Sequence, residues 1–330
     1  MYDIFRPWGE MEWIVKKLNP YIDWMFIGSI SPEDRAITAY NFLNKIGINI
    51  TYSHFIIIKD KPSRHTPTCN NKIKENRKKL FKYNEETEFH LLYEQDNILV
   101  NFADQLTELN KNIIFDISCF PKRFFFPLLR RFIASDKNCN LIVTNTLPFQ
   151  YEHSQPLSES YGNWRTIPLF QDLSEDETKE LILFSVGHLP MGAPEPIYDI
   201  CNSKKIVLYF PFPGHPHSLG PIWRFIHDIE KIVEKRSALE IECISSRDTS
   251  EIFDSMKRAT DDGQKNAILA PYGPKPFSLA MALFASKYNQ PVYYTQPRVY
   301  HPGYSKGVQM RGSRPVITAY VIKNNGFNYY

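Results

Sequence analysis

Cysteine is scarce in this 330-residue chain: Cys69, Cys119, Cys139, Cys201 and Cys243 lie scattered, without a C-x-x-C pair. An odd, dispersed set argues against a disulfide framework or a structural zinc site and fits a reducing compartment. Charge of one sign is scarce as well. The 39 basic residues barely exceed the 36 acidic ones, for a net charge of +3. No uniformly basic face is implied, so duplex nucleic acid is not expected as a principal partner, whereas a small anionic ligand needs only local positive charge. No run of about 18 uncharged apolar residues occurs, so no membrane span is expected. The first ten residues contain Asp3 and Glu10, with no long apolar core after them, so the start does not read as a signal peptide and the expected location is cytoplasmic. Also missing are a Ser–His–Asp order, a Walker lysine, HExxH and a full GxGxxG. No cofactor and no bound metal are expected.

What is present is ample core material. Hydrophobic residues make up 43% and aromatics 14% of the chain, which excludes global disorder, and its length suits two domains. Residues 1–20 read as an amphipathic arm with Trp8, Met11, Trp13, Ile14 and Leu18 on its apolar face. Apolar strands then alternate with helices. A strand at Trp24–Ile30 leads through Ser31 (as N-cap) and Pro32 into a helix at Ala36–Lys45. A strand at His54–Ile58, a loop at Lys59–Asn71 and a basic helix at Lys72–Tyr83 follow. Next come a strand at Glu88–Tyr93, a helix at Asn97–Asn110 and a strand at Asn112–Ser118. A helix to Ser135 and a strand at Asn140–Thr144 close the set. The stretch 151–178 reads as a linker or an edge hairpin around Trp164–Pro168.

A second alternation has strands at Glu180–Val186, Lys205–Phe210, Leu239–Ile244, Ala267–Ala270 and Val292–Thr295. Its helices are expected at Glu195–Cys201, Leu219–Lys235, Thr249–Thr260 and Phe277–Tyr288, and an edge strand at Val316–Lys323 ends the chain. The expected fold is α/β, two Rossmann-like parallel-sheet domains in tandem. The boundaries read as an arm at 1–20, a first domain at 21–150, a linker at 151–178 and a second domain at 179–330.

Candidate site residues gather where strands end, because ligands of open parallel sheets bind at that edge. After the first strand, Gly28, Ser29 and Arg35 offer backbone amides, a hydroxyl and a cation; plain helix capping and an Asp34–Arg35 surface pair would explain them equally. Asp116 ends a hydrophobic strand and reads as a ligand acceptor or general base, or as a cap for the next helix. Ser118, Lys122 and Arg123 follow it, and two cations at a helix start oppose the local dipole, so something negative is expected beside them. In the second half Gly273, Lys275 and Ser278 sit at a strand-to-helix turn that can meet an anion. The Pro213-Gly214-His215-Pro216-His217 loop holds two histidines suited to acid/base work or metal ligation, without an evident third ligand, or it is simply a rigid surface loop. Tyr294, Gln296, Tyr300, Tyr304 and Lys306, with Arg298 and His301 among them, suit a nucleobase, ribose or phosphate, or pack down a long loop.

The halves parallel each other. Each starts with an apolar strand ending in glycine (Gly28; Gly187) and later reaches a strand ending in a Pro-Lys turn, at Asp116–Arg123 and at Ala270–Ser278. Such a duplication can turn both strand-end edges toward one cleft. The turn with Gly273 and Lys275, followed by Ser278-Leu279-Ala280-Met281-Ala282, resembles the fourth-strand signature of CARF-type Rossmann-like sensors of cyclic oligoadenylates. Tyr272 stands where that family's first glycine would be, Pro274 in place of its threonine, and Phe120 and Pro121 where the first half would need glycine. A tandem of such domains is similar to the SAVED sensors of bacterial anti-phage systems. The resemblance implies a sensor of a nucleotide-like ligand that acts through a protein partner or a homo-oligomer, since the two sheets leave no segment for a nuclease or toxin domain. Two other readings stand beside it: an enzyme (hydrolase, lyase or transferase) using His215, His217 and Asp116 on a nucleotide or nucleotide-sugar, and a scaffold subunit whose cleft has lost its ligand.

Overall fold

The computed structural model describes every residue except 1–4, 19–21, 81–84, 110–111, 153–157, 174–178, 188–204, 214–219, 221, 225, 228–229 and 231–237. The chain divides into two compact units, the first Met1–Ser160 with Pro297–Tyr330 and the second Tyr161–Gln296. Along the first run lie β1 (Trp8–Glu10), α1 (Met11–Leu18), β2 (Trp24–Ser29), a 3-10 turn (Asp34–Ile37) and α2 (Thr38–Lys45). They are followed by β3 (Ile50–Lys59), α3 (Thr66–Lys78), β4 (Glu85–Leu91), α4 (Asp96–Thr107), β5 (Asn112–Asp116), α5 (Lys122–Ala134), β6 (Asn140–Thr146) and β7 (Pro148–Tyr151). Then come β8 (Ser158–Thr166), β9 (Leu181–Ser185), β10 (Lys205–Pro211), β11 (Ala238–Ile244), α6 (Thr249–Ala259), β12 (Ala267–Pro271) and α7 (Lys275–Tyr288). The chain ends with β13 (Tyr293–Tyr300), β14 (Ser305–Val308), β15 (Met310–Arg311), β16 (Arg314–Pro315), β17 (Ile317–Asn324) and β18 (Phe327–Asn328).

The first sheet has a parallel centre in the order β4-β3-β2-β5-β6. β17 extends it antiparallel to β6, and β1 pairs antiparallel with β17. The second sheet, β11-β10-β9-β12, is parallel throughout. Beyond β12, Val292 bridges Leu269 in parallel and marks a fifth position. Both sheets therefore share one order: the first strand is central, the second and third lie on one side, the fourth and fifth on the other. This is the Rossmann-like α/β fold, carried twice. In each sheet the strand order reverses once, between β2 and β5 and between β9 and β12. Ligands of open parallel sheets bind at the carboxyl ends of the strands beside such a switch point.

Burial explains the strand composition. Every residue of β2, β6, β9 and β12 is buried, as expected for strands covered on both faces. α5 stacks Phe124, Phe125, Phe126, Leu128, Leu129 and Phe132 against the first sheet's core, where the Phe132 ring meets Phe115 at 5.4 Å. α7 buries ten consecutive residues, Pro276 to Ala285, and ends on Asn289 in the left-handed region at φ 52°. That all-round burial accounts for a helix with no polar stripe.

The structure departs from the sequence reading at four places. α3 begins at Thr66, inside the stretch read as a loop, with a proline in its first turn. Its buried face is thin, Asn76 alone being fully buried, so the apolar periodicity that signals a helix is absent. Ser31 accepts from Glu33 N at 3.1 Å instead of capping a helix that starts at Pro32, and the 3-10 turn begins only at Asp34. The N-terminal arm splits into β1 and α1; Met11, Ile14 and Val15 are buried, whereas Trp13 is exposed. β17 is flanked on both sides, by β1 and β6, and is no edge strand; seven of its eight residues are buried. It belongs to the first unit, so residues 297–330 pack with the first sheet. The expected helix at Glu195–Cys201 lies outside the described residues. No helix among the described residues is long and apolar enough to cross a membrane.

Candidate functional site at the sheet switch points

In the second unit the switch point is built from two loops in near contact. Ser185, the last residue of β9, accepts Gly273 N on its hydroxyl at 2.9 Å and donates to Ala270 O at 3.5 Å. A Cβ on Gly187 would lie 1.9 Å from the Tyr272 carbonyl oxygen, and one on Gly273 2.9 Å from Ser185 Cβ. Only glycine lets the loops after β9 and β12 approach this closely. Pro274 then sets an extended backbone, φ −62° and ψ 166°, and α7 opens at Lys275, which is half-buried. Pro274 at the N-cap makes no side-chain capping hydrogen bond. Ser278 is fully buried; its amide donates to Pro274 O at 3.0 Å and its hydroxyl to Gly273 O at 3.5 Å, so it braces the turn from within.

Behind the turn stands a ladder of aromatic rings. Phe184 stacks on Tyr272 at 5.0 Å, Tyr272 on Trp164 at 6.0 Å and Trp164 on Tyr293 at 5.6 Å, with interplanar angles of 8°, 12° and 18°. The Tyr272 hydroxyl donates to Thr295 Oγ1 at 2.8 Å and accepts Thr295 N at 3.0 Å. Burial raises its pKa, so it remains a phenol at neutral pH. Tyr294 and Gln296 are both buried in this unit, and the Tyr294 ring lies 5.1 Å from Tyr272.

At the first unit's switch point the polar groups are engaged with one another. Arg35 is buried at 3% exposure and reaches Glu33 Oε2 with Nε at 3.0 Å and with a second nitrogen at 2.9 Å. Its remaining terminal nitrogen donates to Thr146 O at 3.2 Å, and the guanidinium sits 5.8 Å from the Tyr151 ring centre. Burial alone would pull its pKa down most strongly, but the Glu33 carboxylate together with Tyr151, Cys119 and Tyr304 outweighs it and the net direction is up. The partner is thus Glu33, not Asp34, whose carboxylate instead accepts Gly307 N at 2.8 Å.

Asp116 is 1% exposed; its Oδ1 accepts the Ser118 hydroxyl at 2.5 Å and the Thr144 hydroxyl at 3.1 Å. Ser118 Oγ in turn accepts Thr146 N at 2.7 Å. Burial pushes the Asp116 carboxyl up to about 6, against the pull of these hydroxyls and of Arg35. Gly28 has an ordinary backbone and makes room for a ring: a Cβ there would lie 2.7 Å from the Phe26 ring. Ser29 is buried at the end of β2. The negative group expected beside Lys122 and Arg123 is present, because Arg123 binds Asp96 Oδ1 at 2.5 Å and Glu94 O at 2.6 Å.

The tail residues that the sequence grouped with Lys275 are shared between the units. Tyr300, Tyr304 and Lys306 belong to the first. Tyr300 N donates to Asp60 at 2.8 Å, the Tyr304 ring meets Tyr151 edge-on at 5.9 Å, and Lys306 pairs with Glu152 at 2.8 Å. β14 pairs antiparallel with β7, setting Ser305 opposite Tyr151. His215 and His217 lie outside the described residues. Among the described residues no group of three His, Cys, Asp or Glu side chains is arranged to hold a metal, and Cys69, Cys119, Cys139 and Cys243 are free thiols. The sequence reading passed over Glu33, Tyr151 and Ser305. Glu33 could have been found from its i,i+2 spacing to Arg35, whereas Tyr151 and Ser305 carry no local signal.

The sequence matches no family model, and no curated protein matches it either. Among solved structures, the chain is similar to one described as a Type III CRISPR defence DNA nuclease activated by cyclic oligoadenylate, at 6% identity and a TM-score of 0.52. The match covers 82% of this chain and 65% of that one, so the chain spans about two thirds of the nuclease's length. A universal stress protein from Archaeoglobus fulgidus DSM 4304 matches at 9% identity over 83% of this chain and 96% of its own; its TM-score of 0.23 supports no argument. What the chain shares with the CRISPR nuclease is its fold.

Proposed function

We propose that the chain senses a nucleotide-like anionic ligand, bound at the C-terminal edge of the second sheet. The observation that carries this reading is the meeting of Gly187 and Gly273 at the β9/β12 switch point, with Lys275 opening α7 beside them. A tight glycine turn with a cation at the start of a helix suits a phosphate. The resemblance of Gly273, Lys275 and Ser278 to the CARF signature supports the same ligand class. So does the shared fold of a nuclease that cyclic oligoadenylate activates. In this reading the bound state is passed to a protein partner, as part of a bacterial anti-phage response, and Tyr294 and Gln296 support the turn from the buried side.

Calorimetric titration and thermal shift with mononucleotides, dinucleotides and cyclic oligoadenylates test the proposal. At least one should raise the melting temperature of the wild-type chain. Lys275→Ala should weaken that ligand about tenfold or more, equivalent to roughly 1.4 kcal/mol, with little change in stability. Equal affinity in the variant would refute the assignment. Ligand recovered intact from His215→Ala, His217→Ala and wild type alike fits a sensor. Turnover that vanishes in the histidine variants would make the chain an enzyme.

A further inference from the structure

We propose that the switch point of the first unit is an oxyanion site that the chain fills itself, with the Glu33 carboxylate standing where a phosphate-class group would bind. Three donors converge on the single atom Glu33 Oε2: Arg35 Nε at 3.0 Å, a second Arg35 nitrogen at 2.9 Å and the Ser305 hydroxyl at 2.5 Å. An arginine fork and a hydroxyl on one oxygen form the donor set that recognises phosphate or sulfate. Arg35 is held for this role from behind, by Thr146 O and by the face of Tyr151.

Position points the same way. Glu33 and Arg35 follow β2, directly at the strand-order reversal between β2 and β5, which is where this architecture takes ligands. The lid over them comes from far along the chain. Ser305 reaches Glu33 across 272 positions, and Gly307 N reaches Asp34 across 273. Tyr304 O accepts Glu152 N at 3.2 Å, and Lys306 pairs with Glu152, so β14 is fastened at several points. A surface ion pair would not need an arginine at 3% exposure, a remote hydroxyl and a strand laid over it. The consequence is that the first switch point is occupied from within.

The inference goes beyond the nucleotide reading, and its test does not depend on it. Glu33→Ala removes the internal carboxylate and leaves Arg35 and Ser305 facing the vacated space. Melting temperatures of wild type, Glu33→Ala and Glu33→Ala/Arg35→Ala would be compared in sodium phosphate and in sodium chloride of equal ionic strength. Glu33→Ala should melt lower than wild type in chloride. Phosphate at ten times its dissociation constant should then raise it by roughly 3–5 °C beyond any rise in wild type. The double variant should lose that gain. A response common to all three proteins belongs to another site and is removed by the comparison.

A Glu33→Ala chain that responds no more than wild type, or a double variant that responds as strongly, overturns the proposal. Should Glu33→Ala be insoluble in chloride, refolding in phosphate is the readout. Recovery in phosphate alone supports the proposal, and recovery in both buffers or in neither overturns it. Failure of every nucleotide to bind the wild-type chain would remove the nucleotide reading and leave this result untouched.

Discussion

Replacing Asp116 with asparagine should abolish a pH-dependent loss of stability in the first unit. The wild-type carboxyl is 1% exposed, and its pKa is raised from 3.8 to about 6, chiefly by burial. The folded chain therefore holds this proton more tightly than the unfolded chain does. The stability this brings is complete below about pH 4, is lost as pH rises through the window from about 4 to 6, and stays lost above it. A shift of about two units corresponds to about 3 kcal/mol, an order-of-magnitude figure. The asparagine carbonyl can still accept the Ser118 and Thr144 hydroxyls that Oδ1 now holds at 2.5 and 3.1 Å. Asp60, which accepts Tyr300 N, is also raised to about 6 by burial and adds a slope of the same sign. The difference between wild type and Asp116→Asn isolates Asp116. Urea denaturation at pH 4, 5, 6, 7 and 8 should show the variant gaining on wild type by about 3 kcal/mol across the window. A difference curve flat with pH would show that Asp116 titrates alike in both states and that burial does not raise its pKa.

Two further substitutions probe the second switch point. Gly187→Ala forces a methyl to within 1.9 Å of the Tyr272 carbonyl, so the two loops must part. A loss of about 3 kcal/mol by chemical denaturation is expected, and a neutral result would contradict the close approach. Tyr272→Phe removes the partner of the Thr295 N–H and hydroxyl, leaving a buried donor unsatisfied. It should cost about 1–3 kcal/mol by chemical denaturation.

The α/β class and the presence of two parallel sheets were legible because both signals are local. Continuous apolar runs such as Leu181–Ser185 mark buried strands, and their alternation with helices implies parallel crossovers. The repeat was legible from the paired Pro-Lys turns, and the identical strand order agrees with it. The fate of the C-terminus was not legible. An apolar run such as that of β17 fits any sheet, and its pairing with β6 spans more than 170 positions, which no local pattern encodes. The same limit hid the lid over Arg35. A short Glu33–Arg35 spacing can be seen in the sequence, but Ser305 and Gly307 join it only through the return of β13 and β14 to the first unit. α3 escaped because it buries so little, and a helix held chiefly by Asn76, which donates to Ser31 O and Glu33 O, leaves no apolar stripe to read.

Mass spectrometry of small molecules released by denaturing the freshly purified chain decides whether it carries a nucleotide. A phosphate-bearing nucleotide is expected, at no more than one per chain, depleted in Lys275→Ala prepared in parallel. A chain that releases no nucleotide, and whose melting temperature no added mono-, di- or cyclic oligonucleotide raises, would contradict that expectation.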